Sequence, residues 1–332
     1  MRRGRQTAAH ATSTVSEVNM SVTPQTSAVG SVKTKSGTAR RPAKRRLSTV
    51  MTPWLFLAPA LIIFTWFKFY PMVSGFSMSF YDVQFYSESK WVGLDNFYRA
   101  FSDLALRSAV IHTTIYVIVG TLSACVLAFF MALTLEGPAR HLGIIRTAVF
   151  LPAITSVAII AEIWRILFNS ADYGLVNSIL GFIGIEPQGF LSDPNQALWV
   201  LILMSAWKSA PYDMVIFVAG LVGVNRELYD AASVDGASAW RKLWHVTLPG
   251  IIPSISVVLM LSFIRGFRVF AEVYATTGGG PAGSTSTIMT HIYKVGFEEL
   301  NYGYASAVSF MLLLFTVALT LLHMKVKSKL TA

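Results

Sequence analysis

Tyr229-Asp-Ala-Ala-Ser-Val-Asp-Gly-Ala-Ser-Ala-Trp-Arg-Lys-Leu-Trp-His-Val-Thr-Leu-Pro249 is a polar stretch set between two long apolar segments. A bare connection between membrane spans needs only a few residues. This one has the length and the small side chains of a surface built to dock in water. Asn225 is placed to cap a first short helix, with Glu227 in its first turn facing the positive helix end. That helix runs to about Val234, where Gly236 tolerates the left-handed backbone that ends it. A second helix runs from near Ser238 to Thr247 and stops at Pro249. Trp240, Leu243 and Trp244 fall on one face of it. That stripe either packs beneath the chain's own spans or faces a partner. Ala231, Ala232, Gly236, Ala237 and Ala239 leave room for close backbone approach.

The flanking segments decide the fold class. Of 332 residues, 54% are hydrophobic and 13% charged, against roughly 25% charged in soluble domains. The apolar residues gather in runs near 20 residues, the length that a bilayer core of about 30 Å requires. An all-α integral membrane protein follows, with six spans at about 54–80, 110–135, 144–168, 197–222, 250–276 and 304–324. Lys68 and Pro71 make the first span either long and tilted or broken near Tyr70-Pro71.

The net charge of +10 is not spread over a folded face. Residues 1–50 hold ten Lys/Arg against the single acid Glu17, and their polar composition reads as a disordered tail before a transmembrane domain over 51–332. Arg2-Arg3 lacks the apolar stretch of an export signal. A nucleic-acid partner is not indicated, whereas membrane lipid is. Lys/Arg in alternate connections number eighteen (the tail, 136–146, 223–249 and the C-terminus) against four (82–108, 169–196 and 277–303). The positive-inside rule therefore puts both termini and the 229–249 stretch in the cytoplasm.

The 229–249 stretch resembles the cytoplasmic EAA loop of permease subunits of ATP-binding-cassette importers. The matching residues are Asp230-Ala231-Ala232, Asp235-Gly236-Ala237 and Leu248-Pro249. Asp230 departs from the usual Glu and shortens that side chain by one methylene. Further stretches resemble the carbohydrate-uptake branch, of maltose and glycerol-phosphate type: Trp91-Val-Gly-Leu-Asp-Asn-Phe97, Phe150-Leu-Pro152, Trp164, Gly174-Leu-Val-Asn177, Thr277-Gly-Gly-Gly-Pro281 with Thr285, and Gly303-Tyr-Ala-Ser-Ala307. The resemblance covers about residues 54–325. It implies the type I importer permease fold and a prokaryotic plasma-membrane location. It also implies a second homologous permease, two ATPase subunits and an extracellular solute-binding protein as partners. The first helix of the loop would then be a coupling helix seated on an ATPase. The chain lacks a Gly-rich Lys-Ser/Thr phosphate loop, so it is not expected to be an enzyme or to bind a cofactor. ATP and Mg belong on the partner ATPase.

Ionisable groups within spans are functional candidates by default. Glu162/Arg165 and Arg268/Glu272 are spaced to neutralise on their own helices, and Lys68 and Lys208 have the reach to snorkel to an interface. Either such groups hold helices together, or Arg268, Glu272 and Tyr274, with Trp207, Tyr212 and Asn169, line a translocation path. Aromatic faces with carboxylate and amide partners suit a sugar. The alternatives are a permease for a non-sugar solute and an ion-gradient-driven carrier whose intramembrane acids relay protons. Scattered histidines and the lone Cys125 give no metal or nucleophile set.

Overall fold

The computed structural model describes residues 47–84, 88–137 and 140–330, so the basic tail lies almost wholly outside the described residues. The chain divides into two units, Met1–Pro59 and Ala60–Ala332. The first contributes the opening turns of α1 (Leu47–Phe64), where Trp54, Leu55 and Phe56 are exposed.

Among the described residues, four helices are long and apolar enough to cross a membrane: Met51–Met78, Leu104–Leu135, Ala197–Val222 and Tyr302–Lys325. Two further candidates are bent pairs, Leu142–Ile154 with Val157–Leu167 at 96° and Ala239–Gly250 with Ile252–Phe267 at 67°. Counting each pair once gives six, the number expected, although the second pair takes in Ala239–Gly250 of the polar stretch and ends at Phe267, short of 276. A small, largely exposed two-stranded element, β1 (Tyr81–Asp82) antiparallel to β2 (Lys90–Trp91), follows the first span.

The first span is neither broken nor simply straight. It passes from α1 through a π-helical turn at Thr65–Phe69 into α2 (Tyr70–Met78), and the Tyr70 N–H bonds to the Thr65 carbonyl. Proline removes one i→i−4 bond and its ring clashes with the carbonyl four residues back. The wider π turn just before Pro71 relieves that conflict and keeps the helix continuous.

Beyond α3 (Asp95–Ser102), the core is built on α4 (Leu104–Leu135) packed against α8 (Ala197–Val222). Gly120, Ala124, Ala128 and Ala132 recur every four residues along α4 and are buried. Small side chains at that spacing let helix backbones approach closely, which is how spans associate where lipid is as apolar as leucine. One core cluster includes Phe217, Leu221, Ile251 and Val258; another includes Ile160, Trp164, Leu201 and Met204.

The third span splits into α5 (Arg140–Ile154) and α6 (Val157–Leu167). Pro152 stands three residues before the break. Thr155 gives the Leu151 carbonyl both its N–H, at 3.1 Å, and its Oγ1, at 2.7 Å, while Ser156 is extended. After α6 a short helix, α7 (Leu175–Phe182), is closed by buried Asn177. Its amide donates to the Asn169, Ala171 and Gln188 carbonyls and accepts from the Gln188 N–H. Asn96 does the same for the hairpin, donating to the Ser79 and Tyr81 carbonyls at 3.0 Å each.

The last span, α15 (Tyr302–Leu330), is anchored at its start by the Tyr302 N–H on the Val83 carbonyl at 2.9 Å. Tyr304 donates to Asp103 Oδ2 at 2.7 Å, and Asp103 caps α4 through the Ala105 and Leu106 N–H groups. His291 Nε2 sits 3.5 Å from the same carboxylate without a hydrogen bond. Burial raises the Asp103 pKa, but the Tyr304 hydroxyl, the two N–H groups and His291 together hold it below the usual carboxylate value. Burial lowers the His291 pKa, against the pull of Asp103 and Glu299 and with help from Lys294 and Arg99.

Two measurements check this packing. A Cβ on Gly303 would meet the Tyr81 carbonyl oxygen at 2.1 Å and the Val83 nitrogen at 2.9 Å, whereas one on Gly75 meets nothing within 4 Å. Gly303→Ala should therefore lower stability by about 1–3 kcal/mol in thermal unfolding, with Gly75→Ala near wild type. The unfolded chain binds protons at His291 and Asp103 more readily than the folded one. This end of the bundle should thus lose stability as pH falls below about 6.5, through His291 first and Asp103 at lower pH. His291→Gln should flatten the upper part of that profile.

Candidate functional site

A cavity of about 330 Å³ lies between α4, α8, α12 (Ile252–Phe267) and α13 (Ala271–Thr276). Of the path candidates it is lined by Glu272 and Tyr212, together with Tyr116, Ser205, Lys208, Ser209 and Arg265. The fifth span was expected to run unbroken to 276. Instead α12 ends at Phe267, Arg268 leaves the helical region, and α13 restarts at Ala271. That break removes the i,i+4 relation between Arg268 and Glu272, so the expected pair does not form. Glu272 instead meets Lys208 of α8 at 3.4 Å, with both side chains mostly buried. Lys208 therefore points inward and does not snorkel.

A second pair was not foreseen. Arg265 Nη2 donates to both oxygens of Asp213, at 2.5 and 2.8 Å, and to Ser262 Oγ at 2.6 Å. Asp213 is fully buried. A lone buried charge is costly, and a shared guanidinium with an added hydroxyl donor offsets it. Tyr116 also faces the cavity, with its buried hydroxyl unpartnered. Glu162 and Arg165 do pair on their own helix, at 2.7 Å and largely exposed.

The other candidates scatter. Asn169 lines a separate cavity of about 530 Å³ with Arg165, Ser192 and Thr277. Its side chain accepts from the Ala171 N–H at 2.8 Å. Tyr274 stacks with Phe270 and meets Tyr293 edge-on. Trp207 leans on Trp164 at 6.0 Å. Arg268 is exposed, and Arg268, Tyr274 and Trp207 line neither cavity. Tyr212 donates to the Ala153 carbonyl at 2.8 Å.

The 229–249 stretch folds largely as its caps dictate. α9 (Arg226–Val234) begins with Asn225 accepting from the Glu227 N–H at 3.0 Å. It ends with Gly236 at φ +72° and the Ala237 N–H on the Ala232 carbonyl. Ser238 caps α10 (Ala239–Lys242). The helix does not stop at Pro249, however. A π turn at Leu243–Thr247 carries it into α11 (Leu248–Gly250), repeating the device used before Pro71.

α9 buries none of its residues. It is held by Tyr229 donating to Thr247 Oγ1 at 3.0 Å and by Lys242 donating to Ser233 Oγ at 2.6 Å. Asp230 borders a hollow of about 370 Å³ with Arg226 and Thr247. Among the described residues the carboxylates of Asp230 and Asp235 have no hydrogen bond or ion pair. Leu248 is half-buried and Pro249 exposed, while Ala231, Ala232, Gly236 and Ala237 stay open or half-open. Trp240 and Trp244 meet edge-on at 5.7 Å and remain 66% and 52% exposed, so they do not pack under the bundle.

The family described as "Binding-protein-dependent transport system inner membrane component" matches residues 107–331. The arabinooligosaccharides transport system permease protein AraP of Bacillus subtilis (strain 168) is 31% identical over 275 residues, covering 82% of this chain and 87% of its own. The sn-glycerol-3-phosphate transport system permease protein UgpA of Agrobacterium fabrum (strain C58) is 32% identical over 270 residues, covering 81% and 92%. A chain of the bacterial alginate ABC transporter, solved in complex with an alginate pentasaccharide-bound periplasmic protein, matches with a TM-score of 0.72. It is 27% identical and covers 84% of this chain and 96% of its own.

Proposed function

The chain belongs to the family of binding-protein-dependent transport system inner membrane components, and from that premise we propose that it is the membrane-spanning half-pore of an ATP-driven importer for a sugar or sugar-like solute. It is a multi-pass plasma-membrane protein with the type I importer permease fold, and its relatives are permease subunits rather than enzymes. The cargo named for those relatives ranges from arabinooligosaccharides to glycerol phosphate.

The observation that carries the reading is α9. A helix without one buried residue, capped at both ends and tied by two side-chain hydrogen bonds to the segment leading into α12, presents a surface that the described residues leave mostly uncovered. On the cytoplasmic side, where charge counting puts it, the fitting partner is an ATPase. We assign Asp230, Ala231, Ala232, Asp235, Gly236 and Ala237 to that contact, with Leu248-Pro249 joining it to α12. Two ATPase subunits, carrying ATP and Mg, and a second permease would complete the assembly, and an extracellular binding protein would deliver solute. Both termini lie in the cytoplasm in this scheme. Glu272 and Tyr212 belong to the solute path through the central cavity; Arg268, Tyr274, Trp207 and Asn169 have weaker claims from their positions. A gradient-driven carrier would need neither the exposed helix nor its caps.

Affinity-tagged chain taken from its native membrane should bring an ATPase and a second permease with it. Gly236→Leu should weaken ATPase recovery and uptake by at least about tenfold at normal membrane insertion, because the added bulk faces open space and not the chain itself. Gly236→Asn, which tolerates the positive φ, should be milder. Recovery of the chain alone from wild-type membranes sinks the reading.

A further inference from the structure

We propose that the central cavity selects an uncharged saccharide over an anionic one, and that the Lys208–Glu272 pair sets this preference. The inference rests on the chain being a sugar importer's membrane subunit and names the charge class of its cargo.

The cavity, about 330 Å³, lies within the size range of small-molecule sites. Its ionised lining residues are Lys208, Arg265 and Glu272. Each cation is matched: Lys208 by Glu272 at 3.4 Å, and Arg265 by Asp213, buried behind the wall, at 2.5 Å. Recognition of a carboxylate or phosphate draws on a cation whose charge is not already balanced by a protein carboxylate. Here an incoming anion would have to draw one of them from its carboxylate, leaving Glu272, mostly buried, or Asp213, fully buried, unmatched.

The same wall suits hydroxyl groups. Glu272 uses only Oε1 toward Lys208, leaving its second oxygen as an acceptor. The ammonium of Lys208 has donors to spare. The buried hydroxyl of Tyr116 has no partner among the described residues. A sugar hydroxyl both donates and accepts, so it meets this mixture without disturbing either ion pair.

The test uses the complete transporter, partner subunits included, in lipid nanodiscs without binding protein. Titrations with maltotriose, raffinose and trigalacturonate are followed by calorimetry. Wild type should bind at least one neutral trisaccharide about tenfold or more tighter than trigalacturonate. Glu272→Gln leaves Lys208 unmatched and should shift the ratio by about tenfold toward trigalacturonate. Lys208→Gln/Glu272→Gln should restore the neutral preference, and an equal melting temperature separates selectivity from misfolding. Should Glu272→Gln fail to assemble, Lys208→Gln should move the ratio the opposite way. Trigalacturonate binding wild type as tightly as the neutral sugars overturns the charge assignment and leaves the sugar reading standing, as does an unmoved ratio in the variants. Absence of saturable binding by all three sugars removes the cavity as a saccharide site and the proposal with it.

Discussion

Every peptide group inside the hydrocarbon must find a partner within the protein. This chain makes that demand harder by placing prolines inside its helices, at positions 71, 152, 211 and 249 among others. Its answers differ with position. Before Pro71 and Pro249 a π turn widens the helix, and the backbone passes through the proline without a gap. After Pro152 the helix gives way, Thr155 closes its last turn with two hydrogen bonds to the Leu151 carbonyl, and the chain turns through 96°. Where the third and fifth spans bend or break, the polar residues that line cavities are brought together.

The break between α12 and α13 has the widest reach. Had the helix continued, Arg268 and Glu272 would share one face and neutralise each other. Interrupting it at three residues turns Glu272 toward α8, where Lys208 meets it, and leaves Arg268 exposed outside the cavity. One irregular turn thus moves a carboxylate from a local helix pair to a contact between spans. The Arg265–Asp213 pair lies within three turns of it and joins α12 to that same α8, whereas Glu272 belongs to α13. Charges between spans bind them together, and because α12 and α8 supply one partner each, neither helix can rotate without separating opposite charges.

What the sequence discloses follows the range of the interactions involved. Asn225 and Gly236 act on backbone groups within four residues, and both helix ends fall where those residues put them. The spans are legible because their apolar runs are local too. Asn96, Asn177 and Thr285 recur in the motifs of the resembling family. Their work turns out to be architectural, closing the hairpin, the α7 loop and the Thr277–Gly280 turn through buried hydrogen bonds. The partners of Lys208, Asp213 and Glu272 stand some fifty or more positions away. Helical spacing ranks Arg268 above Lys208 and is misled, because it presumes an unbroken helix. The exposure of Trp240 and Trp244 depends on the third dimension in the same way, since an apolar stripe looks alike whether it is covered or not.

The bend at Ile251 has a mechanical meaning. α10 and α11 meet α12 at 67°, the pivot residue is fully buried, and Tyr229–Thr247 joins α9 to the short limb. A force on α9 would therefore reach α12 across this buried bend, as a torque about Ile251 used as a fulcrum more than as thrust along the helix axis. Arg265 lies fourteen residues along the long limb, roughly 20 Å from that fulcrum at the rise of an α-helix. A small angular displacement at the surface becomes a larger sideways sweep at the cavity wall, and the geometry alone sets the amplification.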